Sequence, residues 1–370
     1  MTIPGTLAGI RPTAVALEET LVWLCSIASP IGEERLLCDA VSERLGRLPL
    51  DGPIRRYGDS IVVPLVRKRT PGRHHVALVG HLDTVRTENG PARIEDGRCY
   101  GAGAADMKAG LAVMIVIAET ASQLIGCDLT LVFYAREEGP YADNELGPVL
   151  EADADLRGVD LAVCLEPSDN RVQLGCCGSI HATVSFEGRT AHSARPWEGD
   201  NAIVKAGPLL SRLAERGPVE AEVDGHVYRT VTTVTLANGG RGRNVVPDAF
   251  TLNLNHRFAP STSLEEARSD VLALVGPGAK VDFTDLSPAA LPNAGHPLVA
   301  KLIASGVTSV EPKQAWTDVA RFAALGIPAV NFGPGESAQA HQKNESTDCA
   351  LVFQGYRILV AWLSSLIASD

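Results

Sequence analysis

No run of eighteen uninterrupted apolar residues occurs in the 370 residues of the chain, so a membrane-spanning helix is not expected. Basic residues are in the minority, 33 Lys and Arg against 44 Asp and Glu, which leaves a formal charge of -11 and an isoelectric point near 5.3. Nor is there a dense basic stretch to follow a phosphate backbone. The longest cluster, Arg67-Lys68-Arg69, stands beside Pro71-Gly72 and reads as a solvated turn. Both features argue against a nucleic-acid partner. The eight cysteines show neither a disulfide framework nor zinc-type spacing, and the N-terminal stretch lacks the charged-then-apolar order of a signal peptide. A reducing, cytoplasmic setting is the expectation. Internal repeats and low-complexity tracts are missing as well. What remains is a chain long enough for two domains and a large core.

The chemistry-bearing residues sit at the ends of apolar runs. Val76-Ala77-Leu78-Val79-Gly80 has the length and β-branched content of a buried strand and ends in His81-Leu82-Asp83. Leu129 to Ala135 repeats the pattern and ends in Arg136-Glu137-Glu138-Gly139, and Asp160 to Leu165 delivers Glu166 before Pro167. Open α/β sheets place their sites at such carboxyl ends. Alone, His81 reads more often as a core or surface histidine than as a ligand, and Glu137-Glu138 reads equally as a solvated acidic turn. Asp106, which follows the glycine-rich Tyr100-Gly101-Ala102-Gly103-Ala104-Ala105, also fits a helix N-cap. The conjunction of three strand ends and one turn favours a site. His341, after the Phe332-Gly333-Pro334-Gly335 turn, supplies a second imidazole.

Two metal ions sharing a carboxylate need about three protein ligands each, with positions left open for water. Asp106 as the bridge, His81 with Glu166 on one ion, and Glu138 with His341 on the other satisfy that count. Asp83 is placed to take the second N–H of His81 and so set its tautomer. Adjacent carboxylates at a strand end point in different directions, so one of Glu137 and Glu138 can bind metal while its neighbour faces a substrate as a base.

Strands and helices alternate to about residue 174, the pattern of an α/β sandwich. From residue 179 the order is strand, helix, strand, strand, helix, strand: 179–187, 200–216, 230–237, 249–257, 262–275 and 279–285. That β-α-β-β-α-β order is ferredoxin-like. No candidate ligand falls inside it, while Glu166 and His341 flank it. The expected fold is therefore an α/β/α sandwich metallohydrolase domain, residues 1–177 and 295–370, with an inserted ferredoxin-like lid and dimerisation domain, residues 178–294.

The order His81-x-Asp83, Gly-x-Gly-x-x-Asp106-Met107-Lys108, Glu137-Glu138, Glu166-Pro167-Ser168 and His341 resembles that of the di-zinc aminoacylase and carboxypeptidase superfamily of amide hydrolases. Within it, Gly175 to Ile180, Gly188 to Pro196, Trp316-Thr317-Asp318 and Phe332 to Gly335 look closest to the succinyl-diaminopimelate desuccinylases of the Gram-positive type. The resemblance implies a homodimer with two zinc ions per subunit, cobalt being an alternative in one site. It also implies a small acyl-amino-acid substrate. Glu137 matches the general base, Asp83 the residue that orients His81, and His192 a lid histidine that reaches across a dimer interface to the oxyanion. Asn244, Arg257, Thr317 and Gly333 match substrate contacts, although Arg257 also reads as a surface strand residue and Thr317 as a turn residue.

The implied reaction is removal of succinate from N-succinyl-LL-2,6-diaminopimelate, in lysine and diaminopimelate biosynthesis. Other deacylases and exopeptidases of the superfamily, such as acetylornithine deacetylase, aminoacylase or dipeptidase, remain alternatives. So does a non-catalytic metal-stabilised binding protein, against which the presence of Glu137 counts. Gram-negative desuccinylases carry arginine near Cys176-Cys177, so carboxylate recognition here falls to other groups such as Arg195 or Arg241, or the acyl-amino acid differs.

Overall fold

In the computed structural model, which describes residues 13–367, the run before the first candidate ligand forms the strand His75–His81, buried throughout. It pairs in parallel with Asp128–Tyr134 on one side and Leu161–Cys164 on the other. Both neighbours are also buried along their length, which is why all three read as continuous apolar runs and not as alternating ones. They form the middle of an eight-stranded sheet. Its order is Arg55–Tyr57, Ser60–Val66, Asp128–Tyr134, His75–His81, Leu161–Cys164, Ala329–Asn331, Val172–Leu174, Val310–Pro312. Ala329–Asn331 is parallel to Leu161–Cys164, whereas Ser60–Val66 runs antiparallel to Asp128–Tyr134. The fold of this first unit is an α/β sandwich.

The helix Lys108–Thr120 is buried without interruption from Lys108 to Ala118, as expected for a segment apolar on every side. It packs with the helices Thr13–Ser26 and Cys349–Ser365. A Cβ on Gly110 would lie 2.6 Å from the carbonyl oxygen of Leu165. The helix backbone therefore rests directly on the strand end that carries Glu166.

The described residues divide into two compact units, 13–173, 293–311 and 321–367 in the first, and 174–292 with 312–320 in the second. Residues 312–320, expected with the C-terminal part, group with the second unit for a visible reason. Gln314 Oε1 accepts the Arg229 N–H at 3.1 Å and the Trp316 indole donates to Pro288 O at 2.9 Å.

The second unit has a five-stranded antiparallel sheet ordered Val219–Val223, His226–Gly239, Ala249–Phe258, Gly178–Glu187, Lys280–Ser287. Ile180, Ala182, Val184, Phe186, Leu252 and Leu254 face a core shared with Leu209 and Val271 from the helices Gly207–Glu215 and Leu264–Val275. Ser263 and Glu266 form a capping box at the start of the latter helix. The β-α-β-β-α-β core carries one strand that sequence reading did not anticipate, Val219–Val223. Asp224 and Gly225, at φ of 49° and 78°, turn it into His226–Gly239. That is the two-residue Asp-Gly hairpin, a signal present in the sequence.

Gly110 provides a test of the packing. Helix propensity alone predicts that Gly110→Ala gains about 1 kcal/mol, whereas the 2.6 Å approach to a backbone carbonyl predicts a loss of about 1–3 kcal/mol. Urea unfolding distinguishes the two by sign.

Candidate metal centre

Strand register brings the candidate ligands to one edge. His81 pairs with Tyr134, the Leu82 N–H donates to Tyr134 O at 2.7 Å, and the Leu165 N–H donates to Val79 O at 2.9 Å. The residues just beyond, His81, Glu137, Glu138 and Glu166, thus leave the sheet side by side.

His81 is buried, with Nδ1 at 3.0 Å from the backbone oxygen of Asp83 and Nε2 at 3.2 Å from Asp106 Oδ1. With a metal ion bound, a proton kept on Nδ1 would leave the Nε2 lone pair free to bind that ion. Burial alone would lower the His81 pKa. Hydrogen bonds donated to Asp106 and Asp83 and the charges of Asp83 and Glu166 outweigh it and raise the pKa well above the ordinary histidine value. The same negative field favours a divalent cation.

Asp83, expected to orient His81, also contacts the loop of the two glutamates. Its carboxylate lies 3.5 Å from Nδ1, farther than its own carbonyl, and accepts the N–H groups of Glu137 on Oδ1 at 3.0 Å and of Glu138 on Oδ2 at 2.9 Å. Burial would raise the Asp83 pKa, but the His81 hydrogen bond and charge and these two amides hold it low. One anion therefore organises both the imidazole and the loop of the two glutamates.

The two oxygens of Asp106 face different imidazoles. Oδ1 lies 3.2 Å from His81 Nε2 and Oδ2 lies 3.5 Å from His341 Nε2, which is also 2.9 Å from Glu138 Oε1. The hydrogen bond to Glu138 raises the His341 pKa to about 9 against partial burial, helped by the charges of Glu138, Asp106 and Glu345. Ligand atoms of His81, Asp106 and Glu138 all lie within 4.8 Å of one another, and buried Glu166 acts on His81 through its charge. An oxygen and nitrogen donor set around a carboxylate shared by two imidazoles fits a pair of divalent ions. Arg136 and His341 adopt φ of 66° and 62°. Left-handed backbone in such residues costs about 1 kcal/mol each and concentrates at functional sites.

Glu345 is the residue that sequence reading missed. It is only 2% exposed, its Oε2 accepts the Gly103 N–H at 2.9 Å, and its Oε1 accepts the Ala105 and Asp106 N–H groups, each at 2.8 Å. Burial and the Asp106 charge push its pKa up to about 7 against these three amides. The strand Ser346–Asp348 then pairs with Arg98–Tyr100, bringing the His341 segment alongside the Asp106 turn.

Gly333, expected as a substrate contact, lies in the same unit at a close backbone approach. A Cβ there would stand 2.3 Å from Leu165 O and 2.4 Å from Glu166 O. Its N–H donates to Ser168 Oγ at 2.9 Å and its carbonyl accepts the Asn170 N–H at 3.1 Å, so its backbone groups are engaged within the scaffold.

The remaining candidates lie in the second unit. His192 is exposed, and its Nδ1 accepts the Ala194 N–H at 3.1 Å, which places its proton on Nε2 as a donor. The Ser193 N–H donates to Asn244 O at 2.9 Å, so the His192 and Asn244 segments are adjacent. Arg257 donates from Nε to Asn255 Oδ1 at 2.9 Å, and burial lowers its pKa against the charges of Cys177, Asp285 and Cys176. Thr317 is buried. Its Oγ1 has no hydrogen-bond partner among the described residues, and its carbonyl accepts the Cys176 thiol at 3.6 Å. All eight cysteines are free thiols, and no helix among the described residues is long and apolar enough to cross a membrane.

A mixed-sheet α/β unit with a cation-attracting cluster at its strand ends defines a metallohydrolase class. The chain belongs to peptidase family M20/M25/M40, whose model matches residues 77–365, and is a metal-dependent hydrolase. It is 37% identical over 348 residues to a succinyl-diaminopimelate desuccinylase of Corynebacterium glutamicum, covering 90% of this chain and 94% of that one. Identity to the Mycobacterium tuberculosis protein DapE is 39% over 329 residues, with 88% and 92% covered. The fold is shared with the Bacillus subtilis YXEP protein, a dinuclear metal-binding peptidase of the M20 family. That similarity has a TM-score of 0.68 at 14% identity, covering 97% of this chain and 99% of that one.

Asp83→Asn replaces one acceptor oxygen with a donor facing an amide N–H. Zinc affinity, measured calorimetrically on metal-free protein, is expected to fall about 10- to 100-fold, as for other residues that orient ligands. Unchanged affinity would remove Asp83 from that role.

Proposed function

We propose that the chain hydrolyses the succinyl amide of N-succinyl-LL-2,6-diaminopimelate, using two zinc ions bridged by Asp106. His81 and Glu166 would hold one ion, Glu138 and His341 the other, with cobalt an alternative in one site. The observation that carries the hydrolase reading is the division of the Asp106 oxygens between His81 and His341. The substrate follows from the similarity to the Corynebacterium desuccinylase over nearly the whole of both chains.

When bound, the metal pair supplies Lewis acidity that polarises the amide carbonyl and makes water acidic enough to ionise near neutral pH. Glu137, half-buried beside Glu138 with its backbone held by Asp83, takes the proton from the attacking water and returns it to the departing amine. His192, with its proton on Nε2, donates to the oxyanion, a contribution of about 3 kcal/mol for a positioned donor. Arg257, Asn244 and Thr317 serve the carboxylates and amide of the substrate, guanidinium being suited to bidentate carboxylate pairing. The second unit, residues 174–292 with 312–320, would act as the lid and dimerisation domain of a homodimer in which His192 serves the partner's site.

A panel of acyl-amino acids tests the substrate. The expected result is a kcat/KM for succinyl-diaminopimelate above that for acetylornithine and hippurate-like amides. Equal rates would leave the hydrolase and remove the desuccinylase. Glu137→Gln should retain metal and lose at least about 10²-fold in kcat, and unchanged turnover would end its assignment as base. For His192, mixed dimers of His192→Ala and Glu137→Gln chains are expected to recover part of the activity. No recovery would confine it to its own subunit.

A further inference from the structure

Glu345 is not among the ligands or the base, yet it touches the turn that presents Asp106 at three points. Oε2 accepts from Gly103, and Oε1 accepts from both Ala105 and Asp106, at 2.8–2.9 Å. Convergent N–H groups in a buried turn require a partner with several lone pairs in a fixed plane, and a carboxylate supplies about four such sites. No residue between Gly103 and Asp106 has a side chain that could do this. Glu345 also follows His341 by a short segment anchored at its own end. The Glu345 N–H donates to Asn89 Oδ1 at 2.8 Å, and Ser346 begins the strand paired with Arg98–Tyr100.

We propose that Glu345 is a positioning residue for the dinuclear centre, clamping the Gly103–Asp106 turn so that both Asp106 oxygens are presented at once and coupling it to the His341 segment. The inference rests on Asp106 being the bridging ligand. His81 and Glu166 stand at the ends of buried sheet strands and keep their positions without Glu345. His341 and Asp106 stand on loops joined by it. Its loss therefore weakens the ion assigned to Glu138 and His341 more than the ion assigned to His81 and Glu166.

Glu345→Gln is nearly isosteric, but its amide nitrogen must face either Gly103 N–H or the Ala105 and Asp106 pair, leaving at least one amide unpaired. Zinc titrated into metal-free full-length protein is expected to show two sites in the wild type. In the variant the weaker site should lose about 10- to 100-fold in affinity while the tighter one changes less than threefold. The visible spectrum of the cobalt-loaded variant should change in step, and kcat should fall with KM held within twofold. Asn89→Ala, which removes the anchor of the Glu345 backbone, should shift the weaker site in the same direction by less, and serves if the glutamine variant does not fold. Two unchanged affinities with an unchanged cobalt spectrum would overturn the role of Glu345. A wild type that binds a single zinc would instead overturn the bridging reading on which it rests.

Discussion

An aspartate whose two oxygens answer to two different histidines constrains everything around it. His81 reaches Oδ1 from a sheet strand, and His341 reaches Oδ2 from a loop more than two hundred residues later, so the first unit must bring a strand end and a distant loop to opposite sides of one carboxylate. The parallel register of His75–His81, Asp128–Tyr134 and Leu161–Cys164 solves half of that problem by ending the strands level. The short sheet of Ser346–Asp348, Arg98–Tyr100 and Arg93–Glu95 solves the other half by tying the C-terminal loop to the glycine-rich turn.

Charge accounts for why the cluster is a site and not a packing arrangement. Asp83, Asp106, Glu138 and Glu166 surround two imidazoles, and both are driven toward the protonated state by these anions. Burying so many carboxylates together is unfavourable unless cations or hydrogen-bond donors compensate. Asp83 and Glu345 take donors from the backbone, five N–H groups between them. Asp106 and Glu138 face the two imidazoles instead, and that grouping of acidic and imidazole donors suits a divalent metal.

The strand-end positions of His81, Glu137, Glu138 and Glu166 were legible because a fully buried parallel strand leaves an uninterrupted apolar run, and its end is where polarity returns. The ferredoxin-like order was legible from the alternation in 179–187 and 249–257, where only one face meets the core. Glu345 was not, because its partners are backbone amides about 240 residues away and a backbone amide has no sequence signature. Asp83 was read as the partner of one histidine for the same reason, its contacts to Glu137 and Glu138 being to main chain. The place of Thr317 in the second unit was hidden because Gln314 and Trp316 are held by backbone groups of Arg229 and Pro288. Gly333 matches a substrate contact by resemblance, and its surroundings add a close approach to Leu165 and Glu166 that only a residue without Cβ allows.

Anomalous diffraction at the zinc edge from zinc-loaded crystals tests, without reference to substrate or turnover, whether Asp106 is shared by two metal ions. The account predicts two peaks, one beside each Asp106 oxygen, the first next to His81 and Glu166 and the second next to Glu138 and His341. A single peak at full zinc occupancy, or two peaks of which only one touches Asp106, would contradict it.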